Sequence, residues 1–177
     1  MANSLLQNDP IDRADFEESL MNSPNKYYVI LDSCDESFIQ ARVLQEKERF
    51  VCLYRGDAKE KLWHIAPYLA QFDQELLDWV TTILKGTPWG IVLEANADLE
   101  AMRKHLRHFL MVDLPDEGEV YFRYYDPRVI PTYIETCTAN ELDEFYGPIR
   151  SIFYLEDLES DTFTRLSPVH LSGREFD

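Results

Sequence analysis

Three observations point to an α+β fold, a single compact domain in which a mixed sheet of about five or six strands is covered by helices. Compact β-type runs alternate with helical stretches over most of the chain. The 177 residues are 45% hydrophobic and 13% aromatic, which is a globular composition with enough apolar surface for one core. No internal repeat, low-complexity segment or dividing linker interrupts it. The expected organisation is an N-terminal arm or short docking helix over 1–25, a core domain over 26–150, and C-terminal strands with a polar tail over 151–177.

Taken in order, residues 1–25 are polar and acidic with Asn/Ser/Pro punctuation, yet Phe16, Leu20 and Met21 recur at helical spacing. Tyr27–Leu31 reads as a strand. A helix over about Glu36–Lys47 follows, with Ser33 or Asp35 as cap and Phe38, Val43 and Leu44 inward. Phe50–Tyr54 is the next strand, stopped by Arg55-Gly56-Asp57. Leu62–Leu69 reads as an interrupted helical region in which Pro67 starts, kinks or ends a helix. Asp73 caps a helix carrying Leu76, Leu77, Val80, Ile83 and Leu84 inward, ended by Gly86 and Pro88. Trp89–Leu93 is a strand, and Asn96 caps a helix over about Ala97–Met111 with Leu99, Met102, Leu106, Phe109 and Leu110 on one side. Val120–Tyr125 reads as an alternating strand, and Asp126-Pro127 as an N-cap followed by proline at the first helical position. Thr138-Ala139-Asn140-Glu141 is a capping box whose helix ends at Gly147-Pro148. Ser151–Glu156 and Thr162–Leu166 complete the strands.

Seventeen Lys+Arg against 33 Asp+Glu leave a formal net charge of −16. So acidic a surface repels phosphate backbones and anionic membranes, and argues against general nucleic-acid or lipid binding. The first ten residues lack a basic n-region and an apolar h-region, no apolar run approaches the ~18 residues of a membrane span, and a cytoplasmic protein is expected. Cys34, Cys52 and Cys137 are odd in number and widely separated, which fits neither a disulfide framework nor a CxxC site.

No HExxH, P-loop, GxSxG or dinucleotide fingerprint occurs, and neither a cofactor nor a metal is expected. His64 lies in an apolar stretch and reads as structural; His105 and His108 have basic neighbours that oppose a cation. Asp32, Asp35 and Glu36 follow one strand, and Asp57 and Glu60 another, where α/β active sites often sit. Helix capping and solvation explain them more simply, and nothing pairs them with a nucleophile or base at meaningful spacing. Two features stand out as partner-binding candidates. Arg103, Lys104, Arg107 and His108 form the densest positive face, against the alternative of a solvated face neutralised by the protein's own acids, with Glu100–Lys104 an i,i+4 pair. Tyr121–Arg128 combines four aromatics with Arg123 and Arg128, side-chain types enriched at binding hot spots, against the alternative that each arginine pairs with an acid.

Tyr54-Arg55-Gly56, Ala66-Pro67-Tyr68-Leu69, Pro88-Trp89-Gly90, His105-Leu106-Arg107-His108-Phe109-Leu110, Phe122–Val129 and Asn140–Ile149 occur in that order. Together, over Tyr27 to Ile149, they resemble the bacterial type VI secretion effector chaperones, or adaptors, long catalogued as a domain of unknown function. The strand ending in Tyr125-Asp126-Pro127-Arg128 is the most specific fragment. The resemblance implies a non-enzymatic protein of the Gram-negative cytoplasm. It would bind a cognate toxic effector, often by its N-terminal region, and help load it on the spike protein of the secretion apparatus. Tyr54, Arg55, Gly56, Pro67, Trp89, Gly90, Asp126, Pro127 and Gly147 are the motif positions expected to serve the fold; the charge and aromatic patterning, not the resemblance, marks Arg103, Lys104, Arg107, Arg123, Tyr125 and Arg128 as the residues expected to meet a partner. A small hydrolase using Asp32 and Asp57, and an immunity-type inhibitor of a toxin, are the competing readings.

Overall fold

The computed structural model describes residues 5–34 and 36–169; Asp35, one of the two expected helix caps, and the tail from 170 lie outside them. The chain runs β1 (Leu6–Ile11), α1 (Arg13–Asn22), β2 (Lys26–Asp32), α2 (Ser37–Gln45), β3 (Val51–Cys52), α3 (Gly56–Lys61), a 3₁₀ turn (Trp63–Ile65), β4 (Pro67–Gln71), α4 (Gln74–Thr82), β5 (Gly90–Ala95), α5 (Leu99–Arg107), β6 (Met111–Leu114), β7 (Gly118–Tyr121), α6 (Ile130–Thr136), α7 (Ala139–Tyr146), β8 (Ile149–Tyr154) and β9 (Phe163–Pro168). Seven strands form one sheet in the order β1-β9-β8-β5-β2-β4-β3, and β6 and β7 form a separate hairpin. The fold is α+β. Among the described residues every strand pairing in the main sheet is antiparallel.

The centre of the sheet is apolar on both faces. Tyr27, Tyr28, Val29, Ile30 and Leu31 of β2 are all buried, as are Ile91, Val92 and Leu93 of β5, which requires cover on each side. Successive side chains of a strand point to opposite faces, and the two tyrosines meet different layers. Tyr27 packs against Phe16 of α1, and α1 is tied to α4 by Arg13, which donates to Thr81 and pairs with Asp78. Arg42 of α2 pairs with Glu75 of α4 and lies over the Trp79 ring. On the other face the Tyr28 hydroxyl donates to the Ala97 carbonyl just before α5. There, Phe145 of α7 gathers Phe109, Tyr124 and Tyr133 at 5.0–5.4 Å between ring centroids. The molecule is therefore three-layered, helices on sheet on helices.

Local signals account for several ends. Asp73 caps α4 by accepting the Leu76 N–H, and Thr138 and Glu141 form the expected capping box. Gly147 ends α7 with φ +41°, and a Cβ there would lie 2.7 Å from the His105 ring. Gly90 sits where β5 meets β2 so closely that a Cβ would fall 1.9 Å from the Ile30 carbonyl oxygen. Only glycine fits such an approach.

Other expectations need correction. Pro67 begins a strand rather than shaping a helix: as the first residue of β4 it needs no ladder donor, and its carbonyl accepts the Leu53 N–H at 2.9 Å. Residues 6–11, not expected as a strand, form an edge strand paired with β9, whereas the expected docking helix is present over Arg13–Asn22 with Phe16 fully buried and Met21, 71% exposed, facing away. The strand expected over Val120–Tyr125 ends at Tyr121, because Asp126 N–H bonds to the Arg123 carbonyl and Val129 and Ile130 N–H to that of Asp126, coiling the backbone. The following helix starts at Ile130 with Pro131 in its first turn, not at Pro127. Glu36 rather than Ser33 caps α2, and Asp98 rather than Asn96 caps α5. Phe38, Leu44 and Ile83 face outward, because Ile39 and Val43 in α2 and Leu76, Leu77 and Val80 in α4 fill the buried faces.

Candidate functional site

The residues singled out in the sequence gather at one end of the sheet, where β2 ends at Asp32, β4 begins at Pro67 and β3 gives way to Tyr54-Arg55. They divide between two clefts.

In the first, the side chain of Asp32 is 1% exposed and accepts both Nε (3.1 Å) and Nη2 (2.5 Å) of Arg123, together with the Cys34 N–H at 3.1 Å. Asp126, 4% exposed at its side chain, takes a two-point contact from Arg128 (Nε 2.9 Å, Nη2 2.6 Å) and the Arg128 N–H. Arg123 reaches Asp126 as well, at 3.7 Å. The chain of alternating charges ties the end of β2 to the 122–129 loop. Burial pushes the Asp32 carboxyl above the ordinary carboxylate range while the Arg123 hydrogen bonds and charge pull it back. Burial also acts to raise Asp126, but the Arg128 guanidinium and amide outweigh it and hold that carboxyl low. Tyr125 is 1% exposed beside Tyr54, and burial, with Tyr54 and Asp32 nearby, drives its phenol up. A cleft of about 310 Å³ opens over this network, with Cys34, Glu36 and Trp89 on its walls.

The second cleft, about 480 Å³, has a floor of Leu53, Tyr54, Leu110, Met111 and Tyr121 and a rim of Arg55, Lys104, Arg107 and His108. The Tyr54 and Tyr121 rings lie 4.2 Å apart. Lys104, Arg107 and His108 come from the last turn of α5 and its cap, where cations also meet the negative end of the helix dipole. Arg107 turns inward. Its Nε donates to the Leu53 carbonyl at 2.9 Å and its Nη2 to that of Cys52 at 2.8 Å. Burial, and then the positive charges of Arg103 and Arg55, hold its guanidinium below its ordinary value. No carboxylate lines this cleft, although His108 pairs with Glu144 at 3.3 Å at its margin.

The two positive segments of the sequence therefore share one end of the molecule but not one cleft. Arg123 and Arg128 are engaged by buried carboxylates, and Tyr125 belongs to the core. Arg103 is paired with Glu100; Lys104 stays exposed without the expected Glu100 partner. Arg55, read as a structural motif position, is exposed on the rim of the basic cleft. Trp89, Pro67, Pro127 and Asp126 are buried, in keeping with structural roles. Asp57 pairs with Lys61 at 2.9 Å on the surface. Among the described residues, no group of three or more His, Cys, Asp or Glu side chains is placed to hold a metal ion, and no helix is long and apolar enough to cross a membrane. What the basic cleft offers chemically is attraction for an anion beside a surface for apolar side chains.

Comparison with known proteins places the chain in a family. Residues 27–144 match the model of the domain of unknown function DUF4123, and the chain belongs to that family. The match runs from β2 to the last turns of α7 and includes both clefts, stopping before β8 and β9. No curated protein and no solved structure matches the chain.

Proposed function

We propose that the chain is a non-enzymatic adaptor that binds a cognate type VI secretion effector, through the effector's N-terminal region, and helps load it onto the spike protein in the cytoplasm of a Gram-negative bacterium. The family membership and the ordered motifs of Tyr54 to Ile149 support the reading. So does the use made of those motifs. Gly90 and Gly147 permit close backbone approaches, Trp89 and Pro67 are core, and Arg123 and Arg128 lock the 122–129 loop. They maintain a scaffold, and the surface beside it is left for recognition.

The observation that carries the proposal is the basic cleft. In a chain of net charge −16, Arg55, Lys104 and Arg107 stand together over an aromatic and aliphatic floor. Tyr and Arg beside apolar groups are the chemistry of protein-binding hot spots, and their charge opposes that of the rest of the surface. Asp32, the acid best placed for hydrolysis, is bound to Arg123 and the Cys34 amide.

Co-expression with its cognate effector should give a complex that survives gel filtration. Absence of a complex with both effector and spike protein would end the proposal, and binding confined to the effector's toxic domain would make the protein an inhibitor instead.

A further inference from the structure

Cations are scarce in this chain, so those left without an acid are informative. Among the described residues, six Lys and Arg side chains make no ion pair: Lys26, Lys47, Arg55, Lys59, Lys104 and Arg107. Five of the six flank β3, the outermost strand on its side of the sheet. Arg55, Lys104 and Arg107 rim the basic cleft. Lys47 and Lys59, with Glu48, line a groove of about 460 Å³ beside the same strand, whose apolar wall includes Val43, Leu44 and Val51. With nearly twice as many acids as bases in the chain, such a cluster is held against its own mutual repulsion, and a partner's carboxylates would relieve it.

We propose that the β3 edge is the face on which the partner docks, and that the partner supplies an acidic segment carrying an apolar side chain. The apolar side chain seats on Met111 and Tyr121, the exposed apolar side chains of the cleft, and the flanking carboxylates meet Arg55 and Lys104. The inference rests on the adaptor reading and adds to it the chemistry of the segment recognised. Recognition runs through side chains rather than by strand addition. Arg107 already occupies the Cys52 and Leu53 carbonyls, the acceptors an incoming strand would need. A phosphate polymer fits less well, since most of the surface would repel it and the floor of the cleft is aliphatic and aromatic.

The test uses the full chain and a fluorescein-labelled twelve-residue peptide in which Glu and Asp surround a central Leu-Phe pair, followed by anisotropy at about 50 mM salt, where a Debye length of roughly 14 Å leaves charge attraction largely intact. The peptide should bind, and Arg55→Glu with Lys104→Glu should weaken it by roughly tenfold or more. Lys26→Glu, a single charge reversal at the other end of β2, should leave affinity within about twofold. Lys104→Gln should fall between. All three positions are exposed, and unchanged thermal unfolding checks that each variant is folded. No peptide binding, an equal loss in Lys26→Glu, or tighter binding of a single-stranded oligonucleotide of equal charge would overturn the inference. The same variants are then tested on the effector complex. If the complex forms but ignores Arg55→Glu and Lys104→Glu, the adaptor reading stands and the docking face is wrong. If the peptide binds at the cleft but no effector does, the adaptor reading fails alone.

Discussion

Replacing Arg123 by leucine should destabilise the protein by about 2 kcal/mol at neutral pH. Removing one partner of a fully buried ion pair costs about 3–5 kcal/mol, because the remaining charge is left desolvated. Here the Arg123 side chain is 39% exposed, so water reaches the vacated space, and Asp32 keeps the Cys34 N–H at 3.1 Å. These reduce the cost by roughly half. For a chain of this length that is a fall of about 4–8 °C in Tm. The sign of the pH dependence is specific. Burial already raises the Asp32 carboxyl, and loss of the guanidinium raises it further. A carboxyl whose folded pKa exceeds the unfolded value of about 3.9 binds more protons when folded, so stability falls as pH rises between the two values. The deficit of Arg123→Leu relative to wild type should thus be greatest near pH 7 and shrink towards pH 4. Asp32→Asn should cost less, about 1 kcal/mol, since it leaves Arg123 facing solvent and Asp126. Adding it to Arg123→Leu should recover stability. Urea unfolding of the four proteins at pH 7 and pH 4.5 measures each quantity. A deficit for Arg123→Leu below about 0.5 kcal/mol, or one that does not vary with pH, would refute the claim that Asp32 and Arg123 form a stabilising latch.

Gly90→Ala should abolish soluble expression, since its Cβ would meet the Ile30 carbonyl oxygen at 1.9 Å and β2 and β5 lie mid-sheet; a soluble variant with wild-type Tm would disprove that approach. Arg107→Gln should lose about 1–3 kcal/mol by freeing the Cys52 and Leu53 carbonyls, and should raise self-association through the open edge, read by denaturant midpoint and light scattering. His105, half-buried against the Phe145 carbonyl at 2.7 Å, is held below its ordinary pKa chiefly by desolvation. The unfolded chain therefore binds the extra proton, and wild-type stability should decline as pH falls below about 6.5. His105→Gln should remove that part of the slope between about pH 6.5 and 5, and identical slopes in the two proteins would exclude the residue as its source.

How far the sequence could be read depended on the range of the interaction that decides each element. The Asp73 cap, the Thr138–Glu141 capping box and the stop at Gly147 are settled within a few residues, and all are where the pattern places them. β1 is polar, contains Pro10 and is held by β9, more than 150 residues later; no local signal announces it. Leu62–Leu69 carries apolar residues without alternation, because both faces of β4 are covered, and that pattern does not separate strand from buried helix. Phe38 and Leu44 have the right character for a core face but lie on the wrong side of α2. At the site, the basic character of Arg103–His108 was legible. The assignments within it were not: Arg107 serves backbone carbonyls of β3 and Arg103 pairs with Glu100. Arg55 gains its place only because β3 ends beside α5. The choice between binding and pairing is decided for Arg123 by Asp32, 91 residues away, and for Arg128 by Asp126, two residues before it.

The central claim is that the protein recognises an effector's export region. The most direct measurement is calorimetric titration of the full chain against two separate pieces of a cognate effector, its N-terminal region and its toxic domain. Saturable binding of the N-terminal region, weakened by Lys104→Glu and by raised salt, with no heat from the toxic domain, is the expected result. Binding of the toxic domain alone, or of neither piece, would contradict the account.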